Sequence, residues 1–195
     1  MNAAVAHSDI MPTVVPMTVT ALRILDDNGF FNGDVNRHEL IDGVLVMTPP
    51  PGSGHYLVEF KAVKALVRMV SGSSFADDIG LQTGGALRIS ETTLLGPDLM
   101  IVPVPDENTL LKPQDVITLI EIASSSRTSD LGTKAKIYAG AQVSDYWVLD
   151  VAAKCVIVHR DPVGGAYMSV RTFIAPEQVA CLSLPELSVA VSDLF

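Results

Sequence analysis

The chain has 195 residues, enough for one domain with a sizeable core, and apolar residues make up 48% of it. With only 18% charged residues, that composition excludes a disordered or fibrous chain. The 22 acidic and 13 basic side chains leave a net charge of −9, which counts against a broad non-specific nucleic-acid surface.

No apolar run approaches the roughly 20 residues that span a bilayer. The first residues show neither the basic segment nor the apolar core of a secretory signal, so a cytoplasmic protein with no membrane partner is expected. Cys155 and Cys181 lie in apolar surroundings without the spacing of a zinc site or a disulfide framework, and read as buried thiols. Residues 1–16, with Pro12 and Pro16, read as a flexible arm, and 17–195 as a single domain.

Thr18 or Thr20 can cap a short helix that stops at Asn28-Gly29. Residues 38–41 and 44–47 flank Asp42-Gly43, the turn chemistry of a two-residue hairpin, and Pro49, Pro50 and Pro51 end its second strand. From 53 to 70 Tyr56, Phe60, Val63, Val67 and Val70 recur at helical spacing and predict the apolar face of a helix. Short strands are expected near 75–79 and 86–89. Nearly continuous apolar strands follow near 98–104 and 116–123, buried on both faces, with a polar loop between them. A helix over 129–141 places Asp130, Lys134 and Tyr138 on one side. A second hairpin joins 145–150 to 155–160, a strand follows at 166–174, and the tail reads as a final strand and turn. The fold class is α/β, a mixed central sheet flanked by helices with β-hairpins towards both ends.

Chemistry concentrates between residues 97 and 138. Asp98 and Glu121 each interrupt an apolar strand, and a buried carboxylate is costly unless it is paired or binds a cation. Two strand-end carboxylates make the hard oxygen site that suits Mg²⁺ or Mn²⁺. Lys134 follows closely and can orient a water or stabilise developing negative charge, so metal-assisted phosphodiester hydrolysis is the expectation. His55 opens the helix over 53–70 and can reach a phosphate or a carboxylate. Ordinary alternatives stand beside these roles: local capping for Asp98, an i,i+4 pair with Asp130 for Lys134, a packing hydroxyl for Tyr138, core for Trp147.

These residues also carry a resemblance. Glu39-Leu40-Ile41-Asp42-Gly43, the proline run followed by His55, Pro97-Asp98 and Ile120-Glu121-Ile122 with its serines match in order. So do Asp130, Lys134 and Tyr138, then Asp145-Tyr146-Trp147 with Asp150, Leu184-Pro185 and Asp193-Leu194-Phe195. Over about residues 18–195 the chain resembles the Uma family of restriction-endonuclease-like domains, within the PD-(D/E)XK nuclease superfamily. The resemblance implies an α/β nuclease core with a divalent metal held by Asp98 and Glu121, and Glu39 as an additional acidic ligand. It implies nucleic acid as the substrate, DNA before RNA, and a homodimer, for which the apolar C-terminal segments offer an interface. One departure stands out: the superfamily lysine two residues after the second acid is here Ala123, and the resemblance implies that Lys134 on the following helix takes its place. Two other functions fit the same residues: a non-catalytic scaffold of this fold, and a metal-dependent hydrolase of small phosphoesters, which tolerates a negative protein better.

Overall fold

The structure is a computed structural model that describes residues 15–31, 38–47, 50–104 and 110–195. Residues 1–14 of the expected arm (1–16), Pro49 and part of the expected polar loop (105–109) lie outside the described residues.

Helix α1 (Val19–Asp27) starts where Thr18 Oγ accepts from the Ala21 N–H at 3.1 Å, and it ends at Asn28. The hairpin β1 (His38–Ile41) and β2 (Val44–Met47) closes on Asp42 and Gly43, both with positive φ as the turn demands. Gly43 is required twice over, because a Cβ there would lie 2.2 Å from the Pro16 ring. The long helix α2 (Ser53–Ser71) follows, and then β3 (Ile79–Thr83), β4 (Leu87–Arg88), β5 (Leu94–Leu95), β6 (Leu99–Pro103) and β7 (Thr118–Ala123). A short α3 (Arg127–Ser129), a π turn (Asp130–Lys134) and α4 (Ala135–Gly140) run on from one another. The chain ends with β8 (Asp145–Asp150), β9 (Cys155–Val163), β10 (Ala166–Ile174), β11 (Gln178–Ala180), β12 (Ser188–Ala190) and α5 (Val191–Leu194).

The expected α/β architecture is the observed one. A six-stranded sheet runs β10-β9-β8-β7-β6-β3, antiparallel except for the parallel β7–β8 pair, which α3 and α4 connect. A smaller sheet, β2-β1-β5-β4, packs with α1 around Val19, Leu22 and Leu40. Period-two alternation sorts the central strands: Leu99, Ile101, Ile120 and Ile122 face α2, while Met100, Val102, Leu119 and Ala123 face α4. Strand β7 is buried at all six positions, as the unbroken apolar run predicts.

Four expectations change. The face of α2 that packs on the sheet is Val58, Ala62, Leu66 and Val70, whereas Tyr56, Phe60 and Val67 are exposed. Two apolar stripes share this helix, and the one containing the small Ala62 lets it sit close to the strands. The strand expected near 75–79 begins only at Ile79, because Asp78 N–H and Ile79 N–H both donate to the Phe75 carbonyl in a turn. Strands β5 and β11 were not foreseen. The C-terminal segments offered as a dimer interface are internal: Leu187, Val189, Val191 and Leu194 join the α2 core. Both cysteines are free and buried, and Trp147 is wholly buried, as read from their surroundings. Among the described residues no helix is long and apolar enough to cross a membrane.

Candidate active site

Strand register creates the site. Leu99 pairs with Ile120 across the antiparallel β6–β7 ladder, so Asp98, one residue ahead of β6, lies opposite Glu121 on the α4 face. Directly opposed positions have Cβ atoms roughly 4.5–5.5 Å apart, close enough for two carboxylates to share one cation. The Ile122 N–H donates to Asp98 Oδ2 at 2.6 Å and fixes that side chain at the strand end.

The helix after β7 supplies the counter-charges. Its π turn carries Asp130 and Lys134, and Tyr138 follows one turn later on α4; all three are buried. Such turns widen one helical loop and are common at functional sites. Here the carbonyl of Asp130 accepts from the Tyr146 hydroxyl at 2.9 Å, which anchors the widened turn to β8. Lys134 Nζ lies 3.0 Å from Glu121 Oε1 and 2.9 Å from Glu39 Oε1. The Tyr138 hydroxyl donates to the same Glu121 oxygen at 2.8 Å, and the Gly96 N–H donates to Glu39 Oε1 at 3.2 Å. Glu39 thus reaches the centre from the smaller sheet. The ordinary alternative for Lys134, a local i,i+4 pair with Asp130, gives way to these two longer-range partners.

His55, on the first turn of α2, closes the opposite side. Its Nδ1 is 3.0 Å from the Ile122 carbonyl, which only accepts, so Nδ1 carries a proton. That leaves Nε2 facing Asp98 Oδ1 at 3.5 Å.

While Tyr138 is fully buried, Glu39, His55, Asp98, Glu121, Asp130 and Lys134 line one open cleft of about 500 Å³, together with Ser124, Ser125, Ser126 and Ser129 from the turn after β7. Its electrostatics follow from crowding. Burial, then the charge of Glu121, raise the Asp98 carboxyl well above the usual aspartate range, against the lowering effect of the Ile122 N–H. Burial and Glu121 also push Asp130 up to about 7, although the Ser126 hydroxyl, at 2.5 Å from its Oδ2, pulls the other way. Its Oδ1 is buried and has no hydrogen-bond partner. Burial alone would lower the Lys134 ammonium, but Glu121 and Glu39 outweigh it and the net direction is up. Burial and Glu121 raise the Tyr138 hydroxyl, which stays a donor.

The donor set is of the type a divalent ion takes: carboxylate oxygens, crowded enough that two are held partly against ionisation. Among the described residues no three His, Cys, Asp or Glu side chains converge as a complete metal shell. Mg²⁺ does not require one, since it keeps several waters and uses one or two carboxylates beside substrate phosphate. Asp98 and Glu121 fit that description, with the ammonium of Lys134 filling the gap towards Glu39. Ala123 lies on the same face of β7 as Glu121, two residues on, and packs into the core beneath α4.

All six residues singled out in the sequence, Glu39, His55, Asp98, Glu121, Lys134 and Tyr138, meet here. Asp130, which the sequence offered as a partner for Lys134 and as part of the resemblance, also lines the cleft, with its Oδ1 unpartnered. Elsewhere a different carboxylate is fully engaged. Asp145 accepts from Arg160, Trp147, Thr118 and the Leu182 N–H, which marks it as structural.

Comparison with known proteins agrees with this fold. No curated protein matches the chain. Among solved structures it is similar to one described as "a putative nuclease belonging to DUF820" from Anabaena variabilis. The identity is 19% and the TM-score 0.62, over 81% of this chain and 89% of that one, a likeness of fold. The family model described as "Putative restriction endonuclease" matches residues 24–192, which include every residue of the cleft: the chain belongs to the Uma2 family.

Proposed function

We propose that the protein is a divalent-metal-dependent endonuclease that hydrolyses phosphodiester bonds in nucleic acid, DNA before RNA. The observation that carries this is the opposition of Asp98 and Glu121 across β6–β7 with Lys134 buried beside them in an open, serine-lined cleft. Asp98 and Glu121 would hold Mg²⁺ or Mn²⁺, with Glu39 the third carboxylate of the set. Such an ion supplies neutralisation of phosphate charge and a lowered pKa for water bound to it.

The chain's own groups do the rest. Tyr138 and the Gly96 N–H hold the Glu121 and Glu39 carboxylates in fixed orientations, and His55 with the Ile122 N–H does so for Asp98. Lys134 presents an ammonium where negative charge builds on the phosphoryl oxygens. The serine hydroxyls offer donors to the flanking phosphate. Asp130, with one oxygen free of partners and a carboxyl that titrates near neutrality, is suited to accept the proton of the attacking water. The cleft sets one ammonium, Lys134, against the carboxylates of Glu39, Asp98, Glu121 and Asp130, so a bound ion would supply the attraction for phosphate, which favours a short contact with the strand over a long non-specific track. We assign a homodimer as the working form, with the exposed Tyr56, Leu57 and Phe60 of α2 as its apolar contact surface.

Incubation of plasmid and single-stranded DNA with Mg²⁺ or Mn²⁺ tests the proposal, with Asp98→Ala and chelation as controls. Cleavage lost in both controls is expected; no cleavage by the wild type under any ion overturns it. A second reading, a non-catalytic scaffold, draws on the closed Glu39–Lys134–Glu121 network, in which the ammonium pairs with both carboxylates without an ion. Absence of both cleavage and calorimetric metal binding would select it.

A further inference from the structure

A second cavity of about 450 Å³ lies back to back with the cleft, and Gly96 and Asp98 line both. The fold distributes neighbouring residues between the two spaces. On β1, alternation sends His38 into this cavity and Glu39 into the cleft. On α2, His55 lines the cleft and Glu59, one turn on and 4.0 Å away, lines the cavity. A molecule held against Asp98 therefore has a second compartment within reach of its next chemical group.

The cavity's walls decide what that group is. Leu22, Leu94, Leu95 and Leu110 give it broad apolar sides, and its size falls within the roughly 300–1,000 Å³ of small-ligand sites. Asp26 and Glu59 add two carboxylates to that of Asp98 against the single guanidinium of Arg23, an arrangement that repels a phosphate. Apolar faces with acceptors at the edge match a planar ring that carries N–H donors.

We propose that this cavity receives one nucleobase of the substrate strand, swung out of its stack, while the adjoining phosphate lies against Asp98 and Glu121. The proposal rests on the nuclease reading and adds to it a preference. Asp26 and Glu59 accept hydrogen bonds from an exocyclic amino group, which adenine, cytosine and guanine have and thymine lacks. An extruded base is least costly in single-stranded or mismatched DNA, so such strands are the favoured substrates.

The test is binding by the full-length protein in Ca²⁺, read by fluorescence anisotropy. The probes are end-labelled homopolymers of deoxyadenylate, deoxycytidylate and thymidylate and an abasic strand of equal length. Homopolymers make the result independent of register. Wild type is expected to bind the deoxyadenylate and deoxycytidylate strands about tenfold more tightly than the thymidylate strand, with the abasic strand weakest. Ala86→Phe, which fills the cavity from its wall, brings every strand to the abasic level. The double variant Asp26→Ala with Glu59→Ala, at partly exposed positions that leave the core intact, abolishes the amino preference alone. Equal affinity for all strands, no binding to any, or a preference that survives Ala86→Phe overturns the proposal. Mn²⁺-dependent cleavage measured alongside separates the two claims. Cleavage with equal affinities removes the base cavity and keeps the nuclease; a base preference lost in Ala86→Phe without any cleavage does the reverse.

Discussion

Replacing Lys134 by Met keeps much of the side chain's length and removes its charge. The ammonium is 8% exposed and sits 2.9 and 3.0 Å from two carboxylates that are themselves buried. Removing one partner of a buried pair leaves uncompensated charge and costs about 3–5 kcal/mol. For a chain of this size that is a fall in Tm of roughly 6–20 °C. The loss has a pH signature. Asp98 and Asp130 both have folded values above that of an unfolded aspartate, so each contributes stability that is complete below about pH 3.9 and lost as pH rises through the folded value. Lys134 holds both values down; without it they climb further, so the variant loses most on the alkaline side. Thermal unfolding of wild type and Lys134→Met at about pH 5 and about pH 8 measures this, with the larger deficit expected at the higher pH. If Asp98 and Glu121 hold a divalent ion, Mn²⁺ at about a hundred times its Kd restores about 2.7 kcal/mol. A deficit under about 1 kcal/mol, the size of an exposed ion pair, and flat with pH would refute the reasoning.

Four further outcomes follow. Asp130→Asn removes a carboxyl that titrates at about 7, so chemical denaturation should show the variant gaining on wild type between about pH 4 and that value and keeping the gain above it, while the two converge below about pH 4. Tyr138→Phe deletes a donor to a charged oxygen and should cost about 1.5–3 kcal/mol in the same assay, with Lys134 still in place. Glu121→Gln should abolish any rise in Tm on adding Mn²⁺, whereas Trp147→Phe, in the core on the α2-facing side of the sheet, should keep that rise even as its baseline Tm falls. Asp145→Ala strands Arg160, Trp147 and Thr118 without their shared acceptor and should yield little folded protein by near-ultraviolet circular dichroism; a soluble, native variant would contradict its structural role.

Much of this fold is legible wherever local chemistry is decisive. Asp42-Gly43 marks a turn that few other pairs allow, and the strands from Asp145 to Ile174 are bounded by turns on either side, so both regions match their expected positions. Helix α2 was legible as a helix and not as an orientation, since its apolar residues fall on two stripes and only tertiary packing chooses between them. β5 is two residues long and β11 three, too short to impose a periodicity. In the site, residue types were readable because a carboxylate inside an apolar strand stands out. Partners were not. Lys134 and Asp130 suggested a local pair, while the actual partners come from β7 and from a hairpin nearly a hundred residues earlier. Asp130 owes its perturbed carboxyl to burial beside Glu121, a property of the folded chain alone.

The most direct measurement is the rate at which purified protein nicks supercoiled plasmid across a Mn²⁺ titration, for wild type, Glu121→Gln and Lys134→Met side by side. Nicking that saturates with the ion in wild type and vanishes in both variants is the predicted result. Plasmid left intact by wild type at every Mn²⁺ concentration, or nicked equally by Glu121→Gln, would contradict a metal-dependent nuclease built on these residues.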